Sequence, residues 1–497
     1  MSLSRSRLEK HKMVDLSHRS LWLASSKKVT ELPRKGFFLK ETLPENSFNI
    51  RPVYAPVQKS PVRFHGALPG QISTFASTLL ASENGHYRLY ATTLAAGKVS
   101  LGISVWESQD GLNWEPHFLN QVSLDGQKSN LIFFQGLTEK QLSVCQPQVV
   151  PLRDGRWRMY FWKHGDGQGR YLTAESADGL HWEVKGNPVL YHPGDTEVRA
   201  LASGPPGETY FSRKRLLTND ATHVYYHPVL DRYECYSVWL HPAIPDRRVE
   251  TDNAPGVHRL IHRRLSADGL EWSEPELLLM PDRNDPWDLQ FYFLAVQGYQ
   301  DFLIGSLGYY RVEEGQQTMD TELCFSFDQG RNWHRPVRGG FIPRSQPDSG
   351  WRDTMGIYAS NVWIDAGEDW LCLYTGTPQP HNARTPVMEP SAARVRKGRL
   401  VGLAAGSTPG GFLTPPFFPT RSEITLDAAI NGWLRAELCD GFGRKLPGYH
   451  LTDSAVIKGD SQCHRLSWKN NLVERYLYEC VRLRFEFADG IIYSFDW

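Results

Sequence analysis

Short runs of apolar residues recur over most of the chain, and polar stretches with Gly, Asp and Asn separate the runs. The stretch 285–336 shows the pattern in full, with runs at 285–296, 301–310 and 321–328 and a tight turn at Trp333 that leads into a fourth. Branched and aromatic residues fill these runs, and such residues favour pleated, buried strands. The sequence therefore predicts a four-stranded antiparallel unit, and it predicts no helix longer than two turns.

A short turn motif recurs through the first two thirds of the chain. Its Ser and Asp side chains can bond nearby backbone amides, and its Gly supplies the positive φ of the bend. The four copies begin 68, 90 and 60 residues apart, and they are Ser108-x-Asp110-Gly111-x-x-Trp114, Ser176-x-Asp178-Gly179-x-x-Trp182, Ser266-x-Asp268-Gly269-x-x-Trp272 and Ser326-x-Asp328-x-Gly330-x-x-Trp333. Radial repetition of four-stranded sheets tolerates such uneven spacing. We interpret the four Asp residues as structural and each Trp as a plug between neighbouring sheets.

The predicted fold class is all-β, a five-bladed β-propeller followed by a small C-terminal β-sandwich. The propeller is assigned to residues 65–411, after an N-terminal arm at 1–64 and before a sandwich at 412–497. The blades begin near Gln71, Cys145, Asn219, Asp285 and Asp353, and the fifth is expected to end with the run GRLVGLAAG at 398–406. Beyond Phe412 the strands are short and separated by Asp-Gly turns, which is typical of a compact antiparallel sandwich.

The composition argues against two classes of partner, nucleic acids and membranes. The 55 basic and 55 acidic residues cancel, and no run of Lys or Arg marks a nucleic-acid partner. The first thirty residues contain no apolar run of signal-peptide length, and no later run approaches a membrane span, so we expect no membrane partner. Seven cysteines, an odd number, indicate free thiols and a cytoplasmic location. The oligomeric state is left open.

Acidic residues mark the expected starts of three inner strands, where side chains of a propeller converge on one funnel. Crowded carboxylates separate each other's pKa values, which leaves one as acid and another as base or nucleophile. The predicted catalytic residues are Asp220, Asp288 and Asp353. The predicted substrate-binding residues are Gln290, Asp252, Asn219 and Trp287. The alternative reading of each Asp is a turn or cap residue.

Other polar residues receive lesser roles. Asp320 and Glu322 precede or begin the third strand of the fourth blade, and we interpret both as structural. Should the three predicted acids prove scattered, the replacements are Glu197, Asp252 or Glu322. His258, His262 and His381 lack metal-ligand spacing, so no metal site is predicted. No P-loop, GxSxG or GxGxxG motif is present, and no cofactor is expected.

The runs MDTELCFSFD, WHRPVRGGFIPR and GWLRAELCDGFGRKLPGY, together with the repeated turn, resemble five-bladed glycoside hydrolases of families 32 and 43 that carry a C-terminal sandwich. The resemblance implies hydrolysis of a glycan by a carboxylate trio. Family 32 carries its nucleophile in blade one, and the matching strand QISTFASTLL here has no acid, so fructosidase activity is not implied. Sialidases share the turn but need an arginine cluster, for which only Arg311 and Arg352 are available.

The sequence therefore predicts a glycoside hydrolase with a carbohydrate substrate. The alternative is a carbohydrate-binding propeller without catalysis.

Overall fold

The computed structural model describes residues 35–66, 70–81, 85–94, 101–124, 126–138, 143–165, 168–191, 218–242, 257–313, 315–383, 386–469 and 473–497. These residues fall into two compact units. The described part of the first lies within Gln58–Trp333 and Gly339–Arg394, and the second contains residues 35–57, His334–Arg338 and Val395–Trp497.

The elements are almost entirely strands. The first three belong to the second unit: β1 Lys35–Phe37, β2 Glu45–Phe48 and β3 Arg51–Tyr54. The first unit contains β4 Gln58–Pro61, β5 Arg63–Phe64, β6 Gln71–Ala81, β7 Tyr87–Leu94, β8 Gly102–Ser108, β9 Asn113–Pro116, β10 Ser123–Leu124, β11 Gln127–Lys128, β12 Phe134–Gln135, β13 Val144–Pro151, β14 Trp157–Gly165, β15 Gln168–Ser176, β16 Trp182–Tyr191, β17 Thr218–His227, β18 Arg232–Pro242, β19 Val257–Ser266, β20 Glu276–Leu279, β21 Gln290–Tyr299, β22 Phe302–Glu313, β23 Gln316–Ser326, β24 Gly356–Ala366, β25 Asp369–Thr377 and β26 Glu389–Arg396. The second unit resumes with β27 Val401–Ala405, β28 Gly410–Leu413, β29 Thr425–Asp440, β30 Ile457–Arg465, the 3₁₀ turn Val473–Tyr476 and β31 Val481–Asp496.

The first unit is a ring of antiparallel sheets. Their first strands are β6, β13, β17, β21 and β24, and each packs against the next, with β24 returning to β6. Three sheets follow the orders β6-β7-β8-β9, β13-β14-β15-β16 and β17-β18-β19-β20, and a longer path runs from β21 to β26. That path divides at β23 and β24, which share a single pair of residues, Met319 and Gly356. The predicted all-β propeller class is confirmed.

The repeated turn forms as the sequence predicts. In the first copy the Ser108 hydroxyl accepts from the Gly111 N–H at 2.9 Å, and Asp110 Oδ1 accepts from the amides of Leu112 and Asn113 at 2.8 Å each. The Trp114 indole then donates to the Gly111 carbonyl at 3.1 Å. Trp114, Trp182 and Trp333 are buried and Trp272 is half-buried, so the expected plugs are present.

The second and third copies of the turn also bind the sheet before them. The Tyr90 hydroxyl donates to the Gly179 carbonyl at 2.7 Å, and Tyr160 donates in the same way to Gly269 at 2.5 Å. A Cβ added at Gly179 would lie 2.7 Å from the Tyr90 oxygen, in addition to the cost of its φ of +74°. The glycine of the motif therefore serves the contact between sheets as well as the bend.

Two strand assignments made from the sequence are wrong. The run at 398–406 does not close the fifth sheet, because β27 pairs with β31 and β3 in the second unit. The third strand of the fifth sheet is β26, and its outer neighbour is β4 from the N-terminal segment. The fourth sheet has no strand after Trp333, because residues His334–Arg338 belong to the second unit.

The second unit is one eight-stranded sheet that curls over its own apolar face. The long strands β29 and β31 pair along their length, and bulges interrupt the pairing between Ile430 and Trp433. Trp468, Leu483 and Phe485 are fully buried in the core. None of the seven cysteines of the chain is in a disulfide, and five of them are buried. Within the described ranges no helix is long and apolar enough to span a bilayer.

Candidate functional site

One edge of the ring carries a concentration of charged side chains. Strands β21 and β24 begin at this edge, and β22 ends there beside the start of β23, because β22 is antiparallel to both neighbours. The four strands therefore bring the segments around residues 288, 311, 320 and 353 to the same edge.

Asp288 is held by an arginine of the next strand. Its side chain is about 4% exposed, and its Oδ1 accepts from Arg311 Nη2 at 2.9 Å and from Nε at 3.3 Å. Its Oδ2 accepts from the Val312 N–H at 3.1 Å. Both carboxyl oxygens are thus hydrogen-bonded, and the charge of Asp288 faces a cation.

The same arginine begins a chain of ion pairs that crosses the fourth sheet. Arg311 Nη1 binds Glu313 at 2.9 Å, Glu313 binds Arg344 at 2.8 Å, and Arg344 Nε binds Asp320 at 3.0 Å. Three carboxyls therefore share two guanidinium groups, which leaves one more acid than base in a partly buried cluster. Such an excess favours a proton on one of the acids.

Asp320 is the acid of this cluster whose pKa is raised. Burial raises the pKa of Asp320 to about 6; the charges of Arg344 and Arg311 oppose the rise, and the charge of Glu313 adds to it. Asp320 has a single ion pair in the cluster, whereas Glu313 is bound by both arginines. The sequence analysis assigned Asp320 a structural role and missed this property.

Asp353 lies just before β24, and its pKa is shifted in the opposite direction from that of Asp320. Its Oδ2 accepts from Lys59 Nζ at 2.6 Å and from the Tyr374 hydroxyl at 2.8 Å, and its Oδ1 accepts from the Ser345 N–H at 3.3 Å. Burial alone would raise the pKa of Asp353, but these hydrogen bonds and the charge of Lys59 hold it below its usual value. Lys59 comes from β4, far from Asp353 in the sequence.

The segment 343–345 connects these two acids. Arg344 binds Asp320, and the next residue, Ser345, donates its backbone N–H to Asp353. Lys59 also donates to the Pro343 carbonyl at 2.6 Å and to the Ser345 hydroxyl at 2.7 Å. An acid with a raised pKa and one with a lowered pKa thus share one supporting segment.

Beside the acids is a buried cluster of aromatic residues around His381. The ring nitrogens of His381 are hydrogen-bonded to the hydroxyls of Tyr358 at 2.7 Å and Tyr292 at 3.0 Å. The guanidinium carbon of Arg259 lies 4.6 Å from the centre of the Tyr310 ring. The two tyrosine hydroxyls fix the orientation of the His381 ring. The sequence had suggested no partner for this histidine.

Gln290 is bound to the aromatic cluster through Arg259. It is buried, and its Oε1 accepts from Arg259 Nη1 at 2.7 Å and from the Arg259 N–H at 3.1 Å. Its amide oxygen is therefore bound to protein. Trp287, predicted to contact substrate, is about 59% exposed at the same edge.

Part of the predicted site lies outside the described residues. Asp252 and Glu197 fall in ranges that the structure does not describe, and Asn219 and Asp220 lie in β17 without described side chains. Glu322 is fully buried and accepts from the Gly339 N–H at 3.3 Å. Among the residues that the structure describes, no group of three or more His, Cys, Asp and Glu side chains is arranged to hold a metal ion.

Comparison with known proteins gives structural likenesses only. No protein-family model matches the chain, and no curated protein matches it. An N-acetylgalactosamine deacetylase from F. plautii is similar at 16% identity and a TM-score of 0.45, over 69% of this chain and 96% of that one. A thermostable family-43 glycoside hydrolase is similar at 16% identity and a TM-score of 0.41, over 67% and 92%. A structure from the GH130 family of mannoside phosphorylases, which contains glycoside hydrolases that target β-1,2 mannosidic linkages in Candida mannan, is similar at 11% identity and a TM-score of 0.42, over 74% and 98%.

Proposed function

We propose that the chain is a glycoside hydrolase that acts on a glycan at the edge of the ring where β21 and β24 begin. The observation that carries the proposal is the cluster of carboxyls at this edge, in which burial raises the pKa of Asp320 to about 6 and Arg311 binds the carboxylate of Asp288. Glycoside hydrolysis needs one protonated carboxyl and one ionised carboxylate. The resemblance of the sequence to families 32 and 43 supports the same reaction.

In this proposal Asp320 supplies the proton to the leaving oxygen. Asp288, kept beside Arg311, serves as the ionised base or nucleophile, and Asp353 maintains a second negative charge next to Lys59. Asp220, in β17, remains a proposed acid of the funnel on the sequence evidence alone. Trp287 offers an exposed ring face on which a sugar can stack.

A carbohydrate-binding propeller without catalysis is the second candidate. It is favoured by the bonding of Asp353, which is about 2% exposed and has both oxygens bound to protein. Purified protein incubated with plant and bacterial polysaccharides and with a series of 4-nitrophenyl glycosides distinguishes the two. New reducing ends or nitrophenol release supports the hydrolase. Saturable binding with no cleavage of any compound would favour the binding protein.

We expect hydrolysis to decline above pH 6. A general acid must be protonated, so kcat/KM falls by about tenfold for each pH unit above the pKa of Asp320, which is about 6. The measurement is kcat/KM between pH 5 and 8 for the native protein and for Asp320→Asn. Asparagine cannot release the proton, so the variant should be slow and should lose this alkaline limb.

The control for that profile is Asp369→Asn. Asp369 pairs with Arg394 at 3.2 Å on the fifth sheet and has no part in the proposed chemistry. Its profile should match that of the native protein. An alkaline limb that persists unchanged in Asp320→Asn would remove Asp320 from the mechanism.

A further inference from the structure

The second unit contains a cavity of about 540 Å³ that the proposed hydrolysis does not use. Its polar lining is formed by Arg396, Arg399, Asn431, Asp460 and Asp489. Its apolar lining includes Ala404, Ala405, Ala429 and Ile491. A few fixed polar groups above an apolar wall are the usual features of a small-molecule site.

Arg399 is the fixed centre of this cavity. Its side chain is about 10% exposed, with Nε bound to Asp427 at 2.6 Å and Nη1 bound to Asp460 at 2.7 Å. The guanidinium carbon also lies 4.8 Å from the centre of the Tyr493 ring. The two ion pairs and the ring contact hold the guanidinium group in place, so it loses little conformational entropy when a ligand binds.

Asp489 is held by its backbone. It has a φ of 47°, and its N–H donates to the Gly406 carbonyl at 2.8 Å. The turn places its exposed carboxylate on the cavity wall, next to Gly490. Asn431, also exposed, adds an amide that can both donate and accept.

The charges on the wall decide the class of ligand. Arg396 and Arg399 are matched on the wall by Asp460 and Asp489, and Arg399 is also paired with the buried Asp427, so the wall has no excess of positive charge. An anionic ligand would meet two carboxylates and a cationic ligand two guanidinium groups. A neutral molecule with many hydroxyls can donate to the carboxylates, accept from the arginines and lay its C–H faces on Ala405 and Ile491.

We propose that this cavity is a binding site for a neutral sugar, separate from the chemistry of the ring. Its volume of about 540 Å³ lies within the range usual for small-molecule sites, roughly 300 to 1,000 Å³, so it has room for one or two sugar rings. The site holds a carbohydrate whether or not the ring hydrolyses one.

The test uses the full chain and four neutral monosaccharides, glucose, galactose, mannose and xylose, with glucuronate as the charged comparison. Saturation-transfer NMR measures binding to the native protein, to the double variant Asn431→Ala with Asp489→Ala, and to Glu479→Ala. Glu479 is exposed in the same unit and does not line the cavity, so it controls for the loss of a surface carboxylate. Both altered cavity residues are exposed, so the double variant is expected to fold.

We expect at least one neutral sugar to bind and its Kd to rise by about tenfold or more in the double variant, since two hydrogen-bonding groups are lost. Glu479→Ala should bind like the native protein. Equal binding by the double variant, preference for glucuronate, or no saturable binding of any neutral sugar would each overturn the proposal. Hydrolysis is measured in parallel, so a failure of this site and a failure of the ring chemistry give different results.

Discussion

Asp288→Asn should lower the turnover of any glycan that the native protein cleaves by about a hundredfold or more, which is the usual contribution of a general acid or base. Asparagine retains the shape of the side chain and can still accept from the Val312 N–H. It removes the charge that faces Arg311, which keeps its second partner, Glu313. The measurement is kcat at saturating substrate, together with the thermal unfolding midpoint.

The matched control is again Asp369→Asn, which also removes a carboxylate bound to an arginine but lies outside the candidate site. It should keep native turnover. If Asp288→Asn cleaves as fast as this control, Asp288 has no role in the chemistry. If Asp288→Asn does not fold, its activity gives no information about catalysis. Arg311→Lys then tests the contact between residues 288 and 311, because it changes the arginine and retains the carboxylate.

Trp114→Ala should destabilise the protein by about 3 to 5 kcal/mol, the range for removing a large aromatic side chain from a core that cannot collapse. Trp114 is fully buried, and its ring lies 6.2 Å from that of Phe64. The indole also donates to Gly111, so the variant loses the bond that closes the turn. Denaturant unfolding followed by tryptophan fluorescence and by circular dichroism gives the change in free energy.

Trp287→Ala is the control for that measurement, because Trp287 is about 59% exposed. Its effect on stability should stay within about 0.5 kcal/mol. A loss below about 1 kcal/mol in Trp114→Ala would mean that the indole does not support the contact between sheets, and the interpretation of the repeated turn would have to change.

The features that the sequence predicted well are those formed by near neighbours in the chain. The turn at Ser108 is complete within seven residues, since Asp110 accepts from the Ser108 hydroxyl and from a nearby backbone N–H, and Trp114 donates to Gly111. Its residue types therefore reveal its structure directly. The aromatic and branched residues of 290–299 likewise predict a strand, because a short apolar run of this kind between turns is typical of a strand buried on both faces.

The features that the sequence did not predict depend on distant partners. The raised pKa of Asp320 depends on its burial and on the charges around it, and its ion-pair partner Arg344 lies 24 residues further along the chain. The lowered pKa of Asp353 needs Lys59, which lies 294 residues before it. No local sequence pattern indicates these pairings. From the sequence, Asp320 could be recognised only as an acidic residue near the start of a strand.

The departure of His334–Arg338 into the second unit was also hidden from the sequence. The run after Trp333 contains polar and apolar residues that suit a fourth strand. In the structure the Arg335 N–H donates to a carboxyl oxygen of Glu41, at 2.5 Å, and both residues belong to the second unit. The partner again lies almost 300 residues away, beyond the reach of a pattern read along the chain.

The pairing of β4 with β26 has a consequence for how the protein matures. Ser391 lies opposite Pro61, so the first of these strands leaves the ribosome 330 residues before the second. Until β26 is made, β4 has no strand to pair with, and an unpaired strand can pair with another chain. The docking of β4 also brings Lys59 to Asp353. A nascent chain therefore has neither a closed ring nor a complete set of charges at its edge, and both are completed by the same late step.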